Sequence, residues 1–196
     1  MNKRSINIYL IILSCLFYTC KPKAKYQLSD GTWLGKLKND NGAEIPFNFE
    51  IRDSLGKKII IIKNAEDQLI VDEIKTLKDS TQIILPFFDA ELTVEVYADS
   101  LVGKWKKHYA DYTLETPFRA FKNIKERFNE VKADSTKLFN GTWASTFIKQ
   151  PSNDTSFAIG EFRTVGNKIF GTFLSSTGDY RFLEGVSSNN KIYLST

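Results

Sequence analysis

The chain has 196 residues, with 27 Lys and Arg against 23 Asp and Glu, a formal net charge of +4, two cysteines and one histidine. Five of the basic residues fall within residues 1–29, which hold no acid; the rest carries 22 basic against 23 acidic side chains, so no nucleic-acid surface is expected. Both cysteines lie at or before residue 20, which excludes a disulfide framework, a Cys-x-x-Cys redox site and a thiolate zinc site from residues 21–196.

Lys3 and Arg4 precede an apolar run, Ile6 to Thr19, of 14 residues. A bilayer span needs about 20, whereas a signal core needs roughly 7–15. Cys20 follows at once, then Lys21-Pro22-Lys23. This arrangement resembles a bacterial lipoprotein signal, in which the Cys thiol is acylated and becomes the first residue. Residues 1–19 are read as the signal, Cys20 as the lipidation site and 20–29 as a tether. Ser14-Cys15 is a second candidate, but Leu16-Phe17-Tyr18 after it is still apolar.

Residues 30–121 read as a first β unit. Trp33 to Leu37 alternates, and Asn39-Asp40-Asn41-Gly42 signals a hairpin turn. Ile45, Phe47, Phe49 and Ile51 share one face at period two. Ser54-Leu55-Gly56-Lys57 turns again, and the isoleucines of 59–62 favour a strand by β-branching. Leu69 to Leu77, Thr81 to Leu85, Glu91 to Tyr97, Leu101 to Trp105 and Pro117 to Phe121 complete about nine short strands. Residues 122–139 read as a helical linker, with Ile124, Phe128 and Val131 at helical spacing. A second unit, 140–196, follows with strands near 142–149, 156–165, 168–175, 179–187 and 190–195.

Gly31-Thr32-Trp33 and Gly141-Thr142-Trp143 open the two units 110 residues apart. A repeated strand opening points to one all-β design used twice. The expected fold is all-β: two consecutive lipocalin-like barrel or sandwich units, the second shorter and read as incomplete in a piece of a longer product. A Gly-x-Trp opening suits a barrel, because Gly permits close approach and Trp supplies a large apolar plate. In lipocalin-type barrels an Arg of the last strand stacks over that Trp, so Trp33, Arg119 and Trp143 are expected as barrel-closing residues.

A longer string carries a further likeness. Glu44-Ile45-Pro46-Phe47-Asn48-Phe49-Glu50, Leu85-Pro86-Phe87-Phe88-Asp89-Ala90-Glu91, Gly103-Lys104-Trp105 and Pro117-Phe118-Arg119-Ala120 follow the first Trp. Gly160-Glu161-Phe162, Gly171-Thr172-Phe173-Leu174 and Thr177 to Gly185 follow the second. The chain after the signal resembles the N-terminal region of TlpA-family thiol–disulfide reductase lipoproteins of the Bacteroidetes type. There the β region precedes a thioredoxin-like domain bearing Cys-x-x-Cys. The resemblance implies a periplasm-facing accessory region and redox activity only in a longer parent; it carries no catalytic residue, cofactor or metal onto these positions.

Other chemistry is sparse. His108 sits in a polar stretch without a Gly-x-Ser-x-Gly partner motif. Glu66-Asp67 and Asp72-Glu73 adjoin, so on a strand they point to opposite faces. Asp89 and Glu91 share a face at i, i+2 but lack a third ligand. Thr177-Gly178-Asp179-Tyr180 reads as a turn entering a strand. The expected partners are a membrane, through the lipid anchor, and protein or peptide substrates of the redox domain. The alternative is a hydrophobic-ligand-binding or structural envelope lipoprotein. A filled and a hollow barrel read alike in the sequence.

Overall fold

A computed structural model describes residues 26–39, 41–133 and 139–196. The expected signal, Cys15, Cys20 and most of the tether lie outside the described residues. No helix among the described residues is long and apolar enough to cross a membrane.

The chain is all-β. The first unit is a nine-stranded antiparallel meander: β1 (Gly31–Lys38), β2 (Glu44–Ser54), β3 (Lys57–Asn64), β4 (Asp67–Val71), β5 (Ile74–Thr76), β6 (Thr81–Leu85), β7 (Ala90–Val96), β8 (Ser100–His108) and β9 (Thr113–Lys122). Turn chemistry sets the hairpins. Asn39 accepts the Ala43 amide on Oδ1 at 2.8 Å and the Gly42 amide on its carbonyl at 2.9 Å. Asp53 Oδ1 accepts the Gly56 amide at 3.0 Å.

β1 pairs with β2 on one side and β9 on the other, so the sheet curls into a barrel with one seam, between β4 and β5. Leu69 to Leu77, expected as one strand, breaks there at Asp72-Glu73. The Glu73 carbonyl instead accepts the Ile84 amide of β6 at 2.9 Å, which extends the pairing of β5 with β6 on the far side of the seam.

Alternation fills the lumen. Trp33 of β1 stands opposite Phe49 of β2 and stacks on it, centroids 6.2 Å apart and rings 9° from parallel. Phe47 continues the row towards Phe118 of β9, 6.1 Å away. Leu34 lies on the other face of β1, opposite Asn48 of β2, and Ile61 of β3 shares that face opposite Glu50. Leu34, Asn48 and Ile61 are buried, so this outer wall of the barrel is covered too.

The second unit is a five-stranded antiparallel half-barrel: β10 (Gly141–Lys149), β11 (Asp154–Val165), β12 (Lys168–Ser175), β13 (Gly178–Ser188) and β14 (Lys191–Ser195), in that order across the sheet. Gly31 and Gly141 both enter their strands at positive φ, +134° and +95°, a backbone shape that favours glycine.

The helical linker is corrected. The described residues 123–133 are turns and irregular chain, without a helix. Asn123 takes a left-handed φ of 63° and donates its amide to the Thr32 carbonyl at 2.8 Å, which ends β9 and redirects the chain. Arg127 then turns inward against both units, and that demand overrides a weak helical pattern.

Candidate functional site

The expected lipocalin-style closure is corrected in one part. Trp33 is indeed in the core, at 0% exposure, and its indole Nε1 donates to the Ser29 carbonyl at 3.2 Å. Arg119, however, is exposed on the outer wall. Phe118 and Ala120 take the inward positions of β9, so the residue between them must point away, opposite Lys36 of β1. Phe49, not Arg119, covers the indole. Trp143 occupies the matching place on β10 but is 45% exposed, packed on one side by Phe139 at 5.8 Å.

The lumen of the first unit is filled. The void bounded by Phe47, Ile62, Leu85, Leu101 and their neighbours measures about 10 Å³, no more than one water's worth. Two open clefts lie elsewhere. One, about 940 Å³, sits at the seam end, with Lys57, Lys58, Lys75 and Lys78 on its rim and Lys58 paired to Asp30 at 2.6 Å. The other, about 460 Å³, lies between the β3–β4 turn and the face of β12 and β13 that looks towards the first unit.

The half-barrel presents the most distinctive surface. Register places Trp143, Phe147, Phe162, Phe173 and Tyr180 on one face. The rings meet edge to face: Phe147 on Phe173 at 4.9 Å, Phe162 on Phe173 at 5.2 Å, and Phe147 on Tyr180 at 5.6 Å. Such geometry suits the ring quadrupoles. Gly160 and Gly171 make room for it, since a Cβ on either would fall 2.6 Å and 2.3 Å from the Phe162 ring. This is the inner face, because Ile169 and Leu183 are buried on it. Its β10 side stays open.

The opposite face of the half-barrel meets the first unit. Arg127, 4% exposed, is the clamp. Its Nη2 donates to the Lys63 carbonyl at 2.8 Å, and its Nη1 to the Ser195 carbonyl at 3.0 Å and to Asn64 Oδ1 at 3.2 Å. Burial pushes this guanidinium below its ordinary pKa, against the attraction of Glu184. Ser195 Oγ donates to the Pro46 carbonyl at 2.6 Å, and Asn64 Nδ2 to Thr196 Oγ1 at 2.6 Å. Phe128 packs on Tyr193 at 6.3 Å, and Arg163, lying 4.6 Å over Phe170, pairs with Glu66.

The remaining candidates are dispersed. His108 is exposed, with Nδ1 3.3 Å from Thr113 Oγ1. Asp89 faces Lys107 at 3.9 Å and Glu91 faces Lys106 at 3.8 Å, so each carboxylate meets a lysine. Among the described residues no group of three or more His, Cys, Asp or Glu is placed to hold a metal ion. Ser176-Thr177 is the β12–β13 turn and Gly178 opens β13; Asp179 and Tyr180 after it fall on opposite faces, Asp179 paired with Arg181 at 3.1 Å.

Arg127 falls within the stretch expected as a helical linker, and nothing local marks it as buried. The aromatic face had a signal, the Gly-x-Phe strings at 160–162 and 171–173, whose glycines seat Phe162. No family model, curated protein or solved structure matches this chain.

Proposed function

We propose that this chain is a non-catalytic accessory region of a membrane-anchored, TlpA-like thiol–disulfide reductase system, holding polypeptide substrates for a thioredoxin-like domain. Anchoring is through Cys20, on the periplasmic face of the envelope. The observation that carries this reading is the pairing of a filled barrel with an open aromatic half-barrel, joined by a buried clamp. A filled barrel supplies stiffness. An aromatic face with one open side supplies a surface for unfolded, apolar polypeptide. The filled lumen weighs against the alternative of a hydrophobic ligand carried inside the first barrel.

Residues 21–196 have no thiol with which to form a mixed disulfide. The full chain is therefore expected to bind reduced, carboxymethylated polypeptide without reducing insulin. An insulin-reducing activity that survives repurification and is retained by a Cys15→Ser/Cys20→Ser variant overturns the non-catalytic reading. Failure to bind the unfolded polypeptide overturns the holding role.

A further inference from the structure

The two units provide an internal comparison at their second hairpin. β10 to β12 repeat β1 to β3, in the same order and from the same Gly-Thr-Trp start. β11 reverses into β12 through Gly166-Asn167, residue types that tight turns prefer. β2 reverses into β3 through Leu55-Gly56, between the paired Ser54 and Lys57. Leu55 takes a left-handed φ of 54° and Gly56 one of 79°. Such a two-residue turn favours Asn or Asp before Gly, and a leucine is sterically ill suited to it. Leu55 is also fully exposed, so its side chain gains nothing from the core in return. The fold does not call for a leucine at this tip.

Antiparallel order sets what lies beside it. The β2–β3, β5–β6 and β7–β8 turns share one end of the barrel with the start of β1, where the chain enters from Tyr26. Two more large apolar side chains are exposed at this end, Leu77 of the β5–β6 turn at 43% and Tyr26 at 46%. Each apolar tip adjoins lysine in the chain: Lys25-Tyr26, Leu55-Gly56-Lys57-Lys58 and Leu77-Lys78. Tyr26, Lys57, Lys58 and Lys78 line one cleft, which places the three tips around it. Acids interleave. Asp30 and Asp53 meet Lys58 at 2.6 and 3.7 Å, and four further carboxylates line the cleft. The end is therefore not a basic patch. Its chemistry is that of a lipid interface: apolar tips reach the acyl boundary while neighbouring ammonium groups stay among the phosphates.

We propose that this end of the first barrel docks on the bilayer surface, with Leu55 and Leu77 entering the headgroup boundary. The inference rests on the Cys20 anchor proposed above. Five residues, three of them lysine, separate Cys20 from Tyr26. Six steps of about 3.5 Å hold Tyr26 within about 20 Å of the lipidated residue. The opposite end of the barrel also exposes rings, Phe87 at 73% and Tyr112 at 60%. It lies farther from the tether by the length of β8, nine residues or up to about 30 Å. Docking gives the barrel a fixed stance. Pro46, Lys63 and Asn64, through which the half-barrel is clamped, belong to the far ends of β2 and β3. The half-barrel is thereby held off the bilayer, and its aromatic face is carried into the aqueous space.

The test uses the mature chain in nanodiscs of phosphatidylethanolamine and phosphatidylglycerol, with a fluorophore at Leu55→Cys, Leu77→Cys or Phe87→Cys, the Cys20 thiol being blocked by its lipid. Aqueous iodide should quench the labels at 55 and 77 at least threefold less than the label at 87, and lipid carrying a nitroxide near its headgroup should quench them more. Leu55→Asn should raise the melting temperature, because Asn suits the turn, yet increase iodide access at 77 at least twofold; Leu55→Phe should keep 77 shielded. A Cys20→Ser chain in which a histidine tag replaces residues 1–19, held on nickel-chelating lipid, separates the surface from the anchor. Shielding on that lipid by a chain whose parent does not enter the nanodisc rejects the Cys20 anchor and supports the docking surface. A parent that is anchored but leaves 55 and 77 open to iodide overturns the docking and spares the anchor. Equal shielding at 87, shielding of the tagged chain without any bilayer, or access at 77 that ignores Leu55→Asn also overturns it.

Discussion

Replacing Arg127 should uncouple the two units. Its guanidinium serves three acceptors, two of them main-chain carbonyls, one in each unit, and the side chain is 4% exposed. Arg127→Ala leaves those acceptors without their donor, at roughly 1–3 kcal/mol for each that stays dry. Release of the buried cation from its desolvation cost, and entry of water, offset part of this. A net loss of about 3 kcal/mol is expected, falling on the contact between units rather than on either sheet. Arg127→Lys keeps the charge but not the fork and should lie between the two. Scanning calorimetry and limited proteolysis read the result. The parent should unfold with the half-barrel coupled to the barrel. Arg127→Ala should split off an earlier transition and expose residues 140–196 to protease first. Glu66→Gln, which removes an exposed pair with Arg163, should shift stability by no more than about 0.5 kcal/mol. Unchanged transitions in Arg127→Ala would refute the clamp.

The two equivalent tryptophans should behave differently: Trp33→Ala should cost about 3–5 kcal/mol in chemical denaturation, and Trp143→Ala less than about 1.5, because nearly half of Trp143 is already exposed. Acid should weaken the wall beside the clamp. Hydrogen bonds from Arg52 and then Lys63 hold the Glu50 carboxyl down at about 2, against an ordinary 4.5. Its folded value is depressed, so its contribution is present above pH 4.5 and is lost as pH falls towards 2. Solvent screening limits the effect to about 1 kcal/mol, and Glu50→Gln should flatten stability over that window in urea titrations at each pH. Cys20→Ser should abolish palmitate labelling and release the chain from membranes; labelling that persists would move the anchor to Cys15.

Much of the architecture was legible because β-strands write their burial at period two. Ile45, Phe47, Phe49 and Ile51 alternate, and the Asn-Gly and Gly-Lys turns mark where hairpins reverse. The seam was not legible: Leu69 to Leu77 has a continuous strand composition, and only pairing of Glu73 with Ile84 of β6 divides it. The analogy with lipocalin-type barrels sets Arg119 over Trp33, although the flanking Phe118 and Ala120 already fix its direction outward. Arg127 was invisible for another reason. Its burial depends on carbonyls from residues 63 and 195, which no local pattern brings together. The aromatic face was partly readable in the spacing of Gly160 with Phe162 and Gly171 with Phe173; the register that sets Tyr180 against Phe147 was not.

Hydrogen exchange across the half-barrel, with and without reduced polypeptide, tests the central claim most directly. Adding reduced, carboxymethylated polypeptide should slow exchange in β10 to β13, the strands that carry the aromatic face, and leave the β4–β5 seam unchanged. Slowing at the seam instead, or binding that leaves exchange in the half-barrel as it was, would contradict the account.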